Sequence, residues 1–145
     1  MDNTDIKIIN ILQDNCKTTN KEIGQQVGLT PPAVAERIRR LEDQGVIKGY
    51  HARINDIAIG KHVSAFITVN VEPQHYTAFC QFCKESTSIT EHHHIIGVYN
   101  SLLRVAVSDT HELELLLEKL KKYGVSQTST FLSTYFSHKK FMPGE

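Results

Sequence analysis

The run Leu29-Thr30-Pro31-Pro32-Ala33-Val34-Ala35-Glu36-Arg37-Ile38-Arg39-Arg40-Leu41-Glu42 sets the architecture of this chain. It opens with a good capping residue, Thr30, and places Pro31 at the first helical position, where the missing N–H costs nothing. Pro32 also lacks an N–H, so Thr30 can cap only through Ala33. Val34, Ile38 and Leu41 then fall on one seam, and Gly45 stops the helix at about residue 44. With that seam buried, a 100° step places Pro32, Glu36, Arg39, Arg40 and Asp43 on the opposite side, with Ala33 and Arg37 at the flanks.

Upstream, two shorter helices are expected. Ile6, Ile9, Ile11 and Leu12, with Ile8 at the edge, form an apolar stripe over residues 4–15 that Asn3 or Thr4 can cap. A second helix over residues 20–27 has Thr19 as cap and Glu22 three residues on, a capping-box arrangement, and Gly28 ends it. Ile23 and Val27 point inward. Two short helices joined by a tight turn, the second rich in arginine, make a helix-turn-helix. Side chains near the start of the third helix would then reach the major groove: Thr30, Pro32, Ala33, Glu36 and Arg37. Arginine can grip guanine and glutamate can accept from cytosine. Arg39 and Arg40 lie further from the groove-entering end and suit phosphates. The competing reading is a solvated charged face on a structural helix.

From Val46 the period shifts towards two, and residues 46–54 read as a short strand. Residues 55–61, with Gly60, read as a linker. Beyond it the pattern is strand (62–71), helix (74–86), strand (89–96), turn (97–100), strand (101–107), helix capped by Asp109 and running to residue 122, and strand (125–137). Phe79, Phe82 and Cys83 face inward from the first of these helices, and Leu113, Leu116, Leu117 and Leu120 from the second. The order β-α-β-β-α-β is ferredoxin-like: a four-stranded antiparallel sheet with both helices on one face. The fold class is α+β, with a DNA-binding domain over residues 1–54, the linker over 55–61 and a second domain over 62–145. Phe66, on the uncovered sheet face, points to a dimer interface, although a half-polar solvated face is the alternative.

The chain also resembles the Lrp/AsnC (feast/famine) transcription regulators. The resemblance rests on the arginine-helix run above, on Gly45-Val46-Ile47-Lys48-Gly49-Tyr50, on the opening Asp5-Ile6-Lys7-Ile8-Ile9 with Leu12, and on Gly97-Val98-Tyr99-Asn100-Ser101-Leu102-Leu103. It implies a winged helix-turn-helix domain and a C-terminal effector and assembly domain. It also implies double-stranded DNA as partner, and homodimers that assemble into octamers or related rings. An amino acid or related small molecule is the implied effector, held by Gly97, Val98, Tyr99, Asn100, Thr128 and Thr130. The family commonly carries acidic residues where Val98 and Asn100 stand; asparagine offers a ligand ammonium only a neutral hydrogen bond, weaker by about half.

Other signals compete. His92 and His94 share one strand face and, with Cys80 and Cys83, invite a metal reading, but i,i+3 cysteines among core aromatics are ordinarily packing. No metal and no cofactor is expected. A faint likeness to sirohaem decarboxylases rests on His92 to His94 and Tyr99-Asn100, yet those enzymes carry a tryptophan nearby and this chain has none. No catalytic triad or phosphate loop appears, so an enzyme is not expected. A DNA-bending architectural protein without a small ligand needs the same helix and assembly, and stays open.

Bulk properties fit this picture once they are divided. The 145 residues carry 16 Lys+Arg against 16 Asp+Glu, a formal net charge of +0. Such neutrality excludes polybasic coats and acidic tails, and taken alone argues against nucleic acid. Locally, however, Arg37, Arg39, Arg40, Lys48 and Arg53 outnumber Glu36, Glu42 and Asp43. The acidic start is unlike a secretory signal, no stretch approaches the roughly 18 apolar residues of a membrane helix, and three cysteines are too few for a disulfide framework. A cytoplasmic setting without membrane contact is the expectation.

Overall fold

The computed structural model describes residues 1–142 and divides into two compact units, Met1–Arg53 with the segment from Phe136 onward, and Ile54–Tyr135. Residues 136–142 thus pack with the first unit, whereas the sequence reading assigns them to the second domain.

Three helices build the first unit: α1 (Asn3–Asp14), α2 (Asn20–Val27) and α3 (Pro31–Asp43). The cap of α1 is Asp2, not Asn3 or Thr4. Its carboxylate accepts from the Asp5 amide while the Asp5 carboxylate accepts from the Asp2 amide, so a reciprocal capping box fixes the first turn. Thr19 and Glu22 make the same arrangement at α2. Ile8, Ile23 and Val34, one from each helix, are fully buried together, with Ile11, Leu12, Val27, Leu29 and Ile38 packed around them.

The tight turn between α2 and α3 depends on two glycines. Gly28 ends α2 at φ 72°, the left-handed region that glycine occupies without strain. Gly24, one turn earlier, sits so close to the turn that a Cβ would lie 2.4 Å from the Leu29 carbonyl oxygen. Its own carbonyl accepts from the Leu29 amide at 3.0 Å, which folds the chain back towards α3. At α3 itself, Thr30 makes no side-chain cap; its carbonyl accepts from the Val34 amide at 3.0 Å.

Residues 46–54 form no strand. Their alternation is real, but a strand needs a neighbour to complete its hydrogen bonds, and no described segment pairs with them as a strand. Residues 55–61 contain a short 3-10 turn, Ile57–Ile59.

In the second unit, β1 (Val63–Val71), α4 (Tyr76–Glu85), β2 (Ile89–His94), β3 (Ser101–Val107), α5 (Thr110–Leu120) and β4 (Gly124–Thr130) follow the expected order. The sheet order is β2-β3-β1-β4 and every pairing is antiparallel. Ala65, Ile67, Val69 and Val71 of β1 and Leu103, Val105 and Val107 of β3 turn one face to Phe79 and Cys83 of α4 and to Leu113, Leu116 and Leu120 of α5. Asp109 caps α5 by accepting from the Glu112 amide at 2.8 Å. The last strand stops at Thr130 rather than residue 137, because Thr130 pairs with Ala65 and the Phe131 amide makes its final bond to Ser64 at 2.9 Å.

Candidate nucleic-acid interface and ligand-binding loop

The exposed side of α3 carries Pro32, Glu36, Arg39 and Arg40, while Val34 and Leu41 are buried and Arg37 and Ile38 lie between. Thr30, Pro32, Ala33, Glu36 and Arg39 therefore share one accessible end and side of the helix. Glu36 and Arg39 pair with each other at 2.9 Å, both side chains about two-thirds exposed. Such an exposed pair is worth little and opens at small cost to a better partner.

Arg37 and Arg40 behave differently. Both reach sideways to α1, where Asp5 is only 1% exposed. One Arg37 nitrogen, Nη1, donates to Asp2 and to Asp5, each at 2.7 Å. Arg40 Nη2 donates to both Asp5 oxygens, at 3.1 and 3.0 Å. Burial alone would raise the Asp5 carboxyl, but the Asp2 amide, the Arg37 guanidinium and the nearby Arg40 charge outweigh it and hold the group below its ordinary range. The exposed Asp2 is lowered to about 2 by the Asp5 amide and then by Arg37. Sequence reasoning missed this cluster. The available signal was an aspartate at the third position of a capping box, which explains a cap but not its partners 32 and 35 residues away.

The C-terminal segment closes on the other end of α1. The Gln13 side chain donates to the Phe141 carbonyl at 2.9 Å and accepts from its amide at 2.8 Å, and Lys140 pairs with Asp14 at 2.5 Å.

In the second unit the loop of residues 95–100 holds Gly97, Val98, Tyr99 and Asn100. Asn100 bonds the backbone of β1: its Oδ1 accepts from the Val71 amide at 2.9 Å and its Nδ2 donates to the Val71 carbonyl at 2.8 Å. Val98 is exposed. The Tyr99 hydroxyl donates to the Gln127 side chain at 3.3 Å. Gln127 pairs with Thr68, on the sheet face away from the helices, whereas Thr128 pairs with Ile67 and Thr130 with Ala65 on the helix-covered side. Within one chain, then, Gly97, Val98 and Tyr99 are adjacent, Asn100 is spent on β1, and Thr128 and Thr130 belong to the opposite face from the Tyr99–Gln127 contact.

His92 and His94 lie against α4, His92 edge-on to Phe79 and His94 beside Tyr76, with ring centroids 5.2 and 5.4 Å apart. The His92 Nε2 is buried without a partner, and burial followed by the charges of His93 and His94 lowers its pKa. Among the described residues no group of three His, Cys, Asp or Glu side chains is placed to hold a metal ion. Among them, too, no helix is long and apolar enough to cross a membrane.

Comparison with known proteins places this geometry. Residues 1–48 match the winged helix-turn-helix DNA-binding family, and residues 64–141 match the Lrp/AsnC ligand binding domain. The chain belongs to the Lrp/AsnC family. It is 38% identical over 141 residues to the uncharacterized HTH-type transcriptional regulator YezC of Bacillus subtilis, covering 97% of this chain and 100% of that one. The leucine-responsive regulatory protein of Haemophilus influenzae is 34% identical over 137 residues, 91% of this chain and 82% of its own. Among solved structures, LrpC of Bacillus subtilis superposes with a TM-score of 0.89 at 25% identity, covering 95% of this chain and 99% of that one. A transcriptional regulator of Neisseria meningitidis, solved as a complex with L-Met, has a TM-score of 0.89 at 26% identity, over 99% and 96% of the two chains. This Lrp/AsnC protein is accordingly a DNA-binding transcription regulator with a ligand-binding domain, and its relatives are regulators rather than enzymes. The sirohaem-decarboxylase alternative falls away.

Proposed function

We propose that α3 enters the DNA major groove of a specific operator, with Thr30, Pro32, Ala33 and Glu36 towards the base edges and Arg39 and Arg40 on phosphates. The observation that carries this is the exposed face of α3: it holds no buried apolar residue, and the ion pair lying within it, Glu36 with Arg39, is weak and accessible. Arg37, a base-edge candidate from its position, instead supports the helix from the flank through Asp2 and Asp5. Selecting bound duplexes from a random library, then measuring Glu36→Ala and Arg39→Ala, tests the arrangement. Glu36→Ala should relax base preference at one position, and Arg39→Ala should weaken all duplexes alike with a salt slope lower by about one. Unchanged binding in both variants would sink it.

The effector is inferred to be an amino acid, acting on a homodimer that assembles into an octamer or related ring. The support is the L-Met complex of the Neisseria meningitidis relative and the accessible Gly97-Val98-Tyr99 segment of this chain. Neutral Val98 and Asn100 leave no carboxylate there for an ammonium group, so an amino acid would meet only neutral hydrogen-bond partners at these two positions and be held the more weakly. A ligand that binds only the folded assembly raises its melting temperature, so the twenty amino acids can be screened by thermal shift, with sedimentation reporting the assembly. A flat screen would leave the ligand-independent architectural reading in its place.

A further inference from the structure

We propose that Asp5, which lies on α1 and outside the reading helix, limits sequence-independent DNA affinity by withdrawing Arg37 from the phosphate-binding charge of α3. The proposal rests on the reading that α3 faces DNA, and goes beyond it by assigning a role to a residue that touches no base.

Four charges meet at this point, Asp2 and Asp5 against Arg37 and Arg40, and they sum to zero. Every oxygen lone pair of Asp5 that geometry can reach is taken. Its Oδ1 accepts from Arg37 at 2.7 Å and from Arg40 at 3.1 Å, while its Oδ2 accepts from the Asp2 amide at 2.9 Å and from Arg40 at 3.0 Å. A buried charge of this kind is an expensive way to join two helices, since an apolar pair of similar size commonly does as well. What the carboxylate adds is control over where two cations point.

The two arginines are not held equally. Arg37 is about one-quarter exposed and bonds both aspartates through the same nitrogen, so a phosphate would have to compete with two carboxylates. Arg40 is half exposed and uses only Nη2, leaving its other guanidinium edge to solvent. Arg39 is bound only to the exposed Glu36. The α3 surface thus offers two cations of three. Phosphate attraction is indifferent to sequence, so every added cation strengthens wrong sites as much as right ones. Keeping Arg37 occupied restrains that indifferent term.

The experiment uses the full-length protein, a duplex selected by the wild type from a random library, and a scrambled duplex of the same composition. Asp5→Asn keeps the side-chain shape and removes the charge. On the scrambled duplex its affinity should rise about 3- to 10-fold near 0.1 M salt, with a salt slope steeper by about one. Affinity for the selected duplex should rise by a similar factor, so the ratio of selected to scrambled affinity stays nearly unchanged. Adding Arg37→Gln to Asp5→Asn should return the slope to the wild-type value. A merely structural Asp5 would weaken both duplexes in one proportion with unchanged slope, and that result overturns the proposal.

Arg39→Ala separates the two levels of inference. If it lowers the slope while Asp5→Asn leaves both affinity and slope on the scrambled duplex unchanged, α3 faces DNA and the Asp5 role is wrong. If Arg39→Ala changes nothing, the α3 reading fails and takes the Asp5 proposal with it. Should circular dichroism show Asp5→Asn unfolded at the assay temperature, Arg37→Gln alone carries the test. It should leave the slope on scrambled DNA where it was, and a drop of about one would refute the claim that this charge is withdrawn.

Discussion

The two units of this regulator are held by different physics. The second buries an unbroken apolar layer: seven strand residues from β1 and β3 against Phe79, Cys83, Leu113, Leu116 and Leu120, with no ion pair inside it. The first has only Ile8, Ile23 and Val34 fully buried in its central cluster, and adds a buried carboxylate with two guanidiniums at the edge. A three-helix unit of some fifty residues cannot bury a large core and still present one helix almost bare to a partner. Charge ties along the flank of α3 hold the helix without spending its outer face. The sheet unit meets no such demand from its helix-covered side, and uses dispersion and burial alone.

The strongest way to probe that contrast is to empty each core. Phe79 is fully buried and meets His92, Tyr123 and Tyr76 edge-on or tilted, so Phe79→Ala should cost about 3–5 kcal/mol in the second unit, as large aromatic truncations do. Chemical denaturation followed by residue-resolved hydrogen exchange checks it. Amides of α4 and the sheet should lose protection while those of α1 to α3 keep theirs; equal losses in both units would show that the two cores unfold as one.

Gly24→Ala tests the first unit without touching its charges. The added methyl would stand 2.4 Å from a backbone oxygen, so the α2–α3 turn must open, at a cost of about 1–3 kcal/mol. The melting temperature should fall and DNA affinity should fall with it, because the turn sets the angle at which α3 is presented. A melting temperature at or above the wild type would mean that the turn relaxes freely.

Acid should divide the units by pH. His92 has a lowered folded pKa, from burial and then from His93 and His94, so it stays neutral in the fold while the unfolded chain takes up its proton. Stability of the second unit should therefore decline as pH falls through the unfolded histidine value, about 6.5, towards the folded one. The first unit depends on lowered carboxyls, Asp5 and Asp2, whose contribution is intact above the unfolded value of about 4 and disappears only as pH falls through their folded values. Between about pH 6.5 and 5 the sheet unit should weaken first, by a smaller amount than either substitution above. His92→Phe should flatten that slope; if it does not, His92 is not the group responsible.

What the amino-acid sequence disclosed follows the same division. Period, caps and breakers are local, so the helix-turn-helix, the Thr19–Glu22 box, the Gly28 stop and the β-α-β-β-α-β order were all readable. Features that depend on distant partners were not. The alternation of residues 46–54 reads as a strand, but pairing is a property of neighbours, and among the described residues none pairs with them. The family resemblance makes Asn100 a ligand residue; its role in bonding the Val71 backbone depends on β1 lying beside it. Asp5 reads as a polar position on the first helical turn, and only the approach of α3 buries it.

The two threonine caps of the first unit make the finest comparison. Thr19 accepts from the Glu22 amide at 3.3 Å, so Thr19→Ala should cost about 1 kcal/mol. Thr30 occupies the equivalent place before α3 and makes no cap: Pro31 and Pro32 have no amide to offer, and its side chain does not bond the Ala33 amide. Thr30→Ala should therefore change stability by less than about 0.5 kcal/mol, read as an unchanged melting temperature. A hydroxyl that does nothing for the helix remains available to a phosphate or a base edge. If Thr30→Ala weakens DNA binding while the protein melts normally, Thr30 acts at the interface; if it lowers the melting temperature like Thr19→Ala, the hydroxyl caps α3 in solution after all.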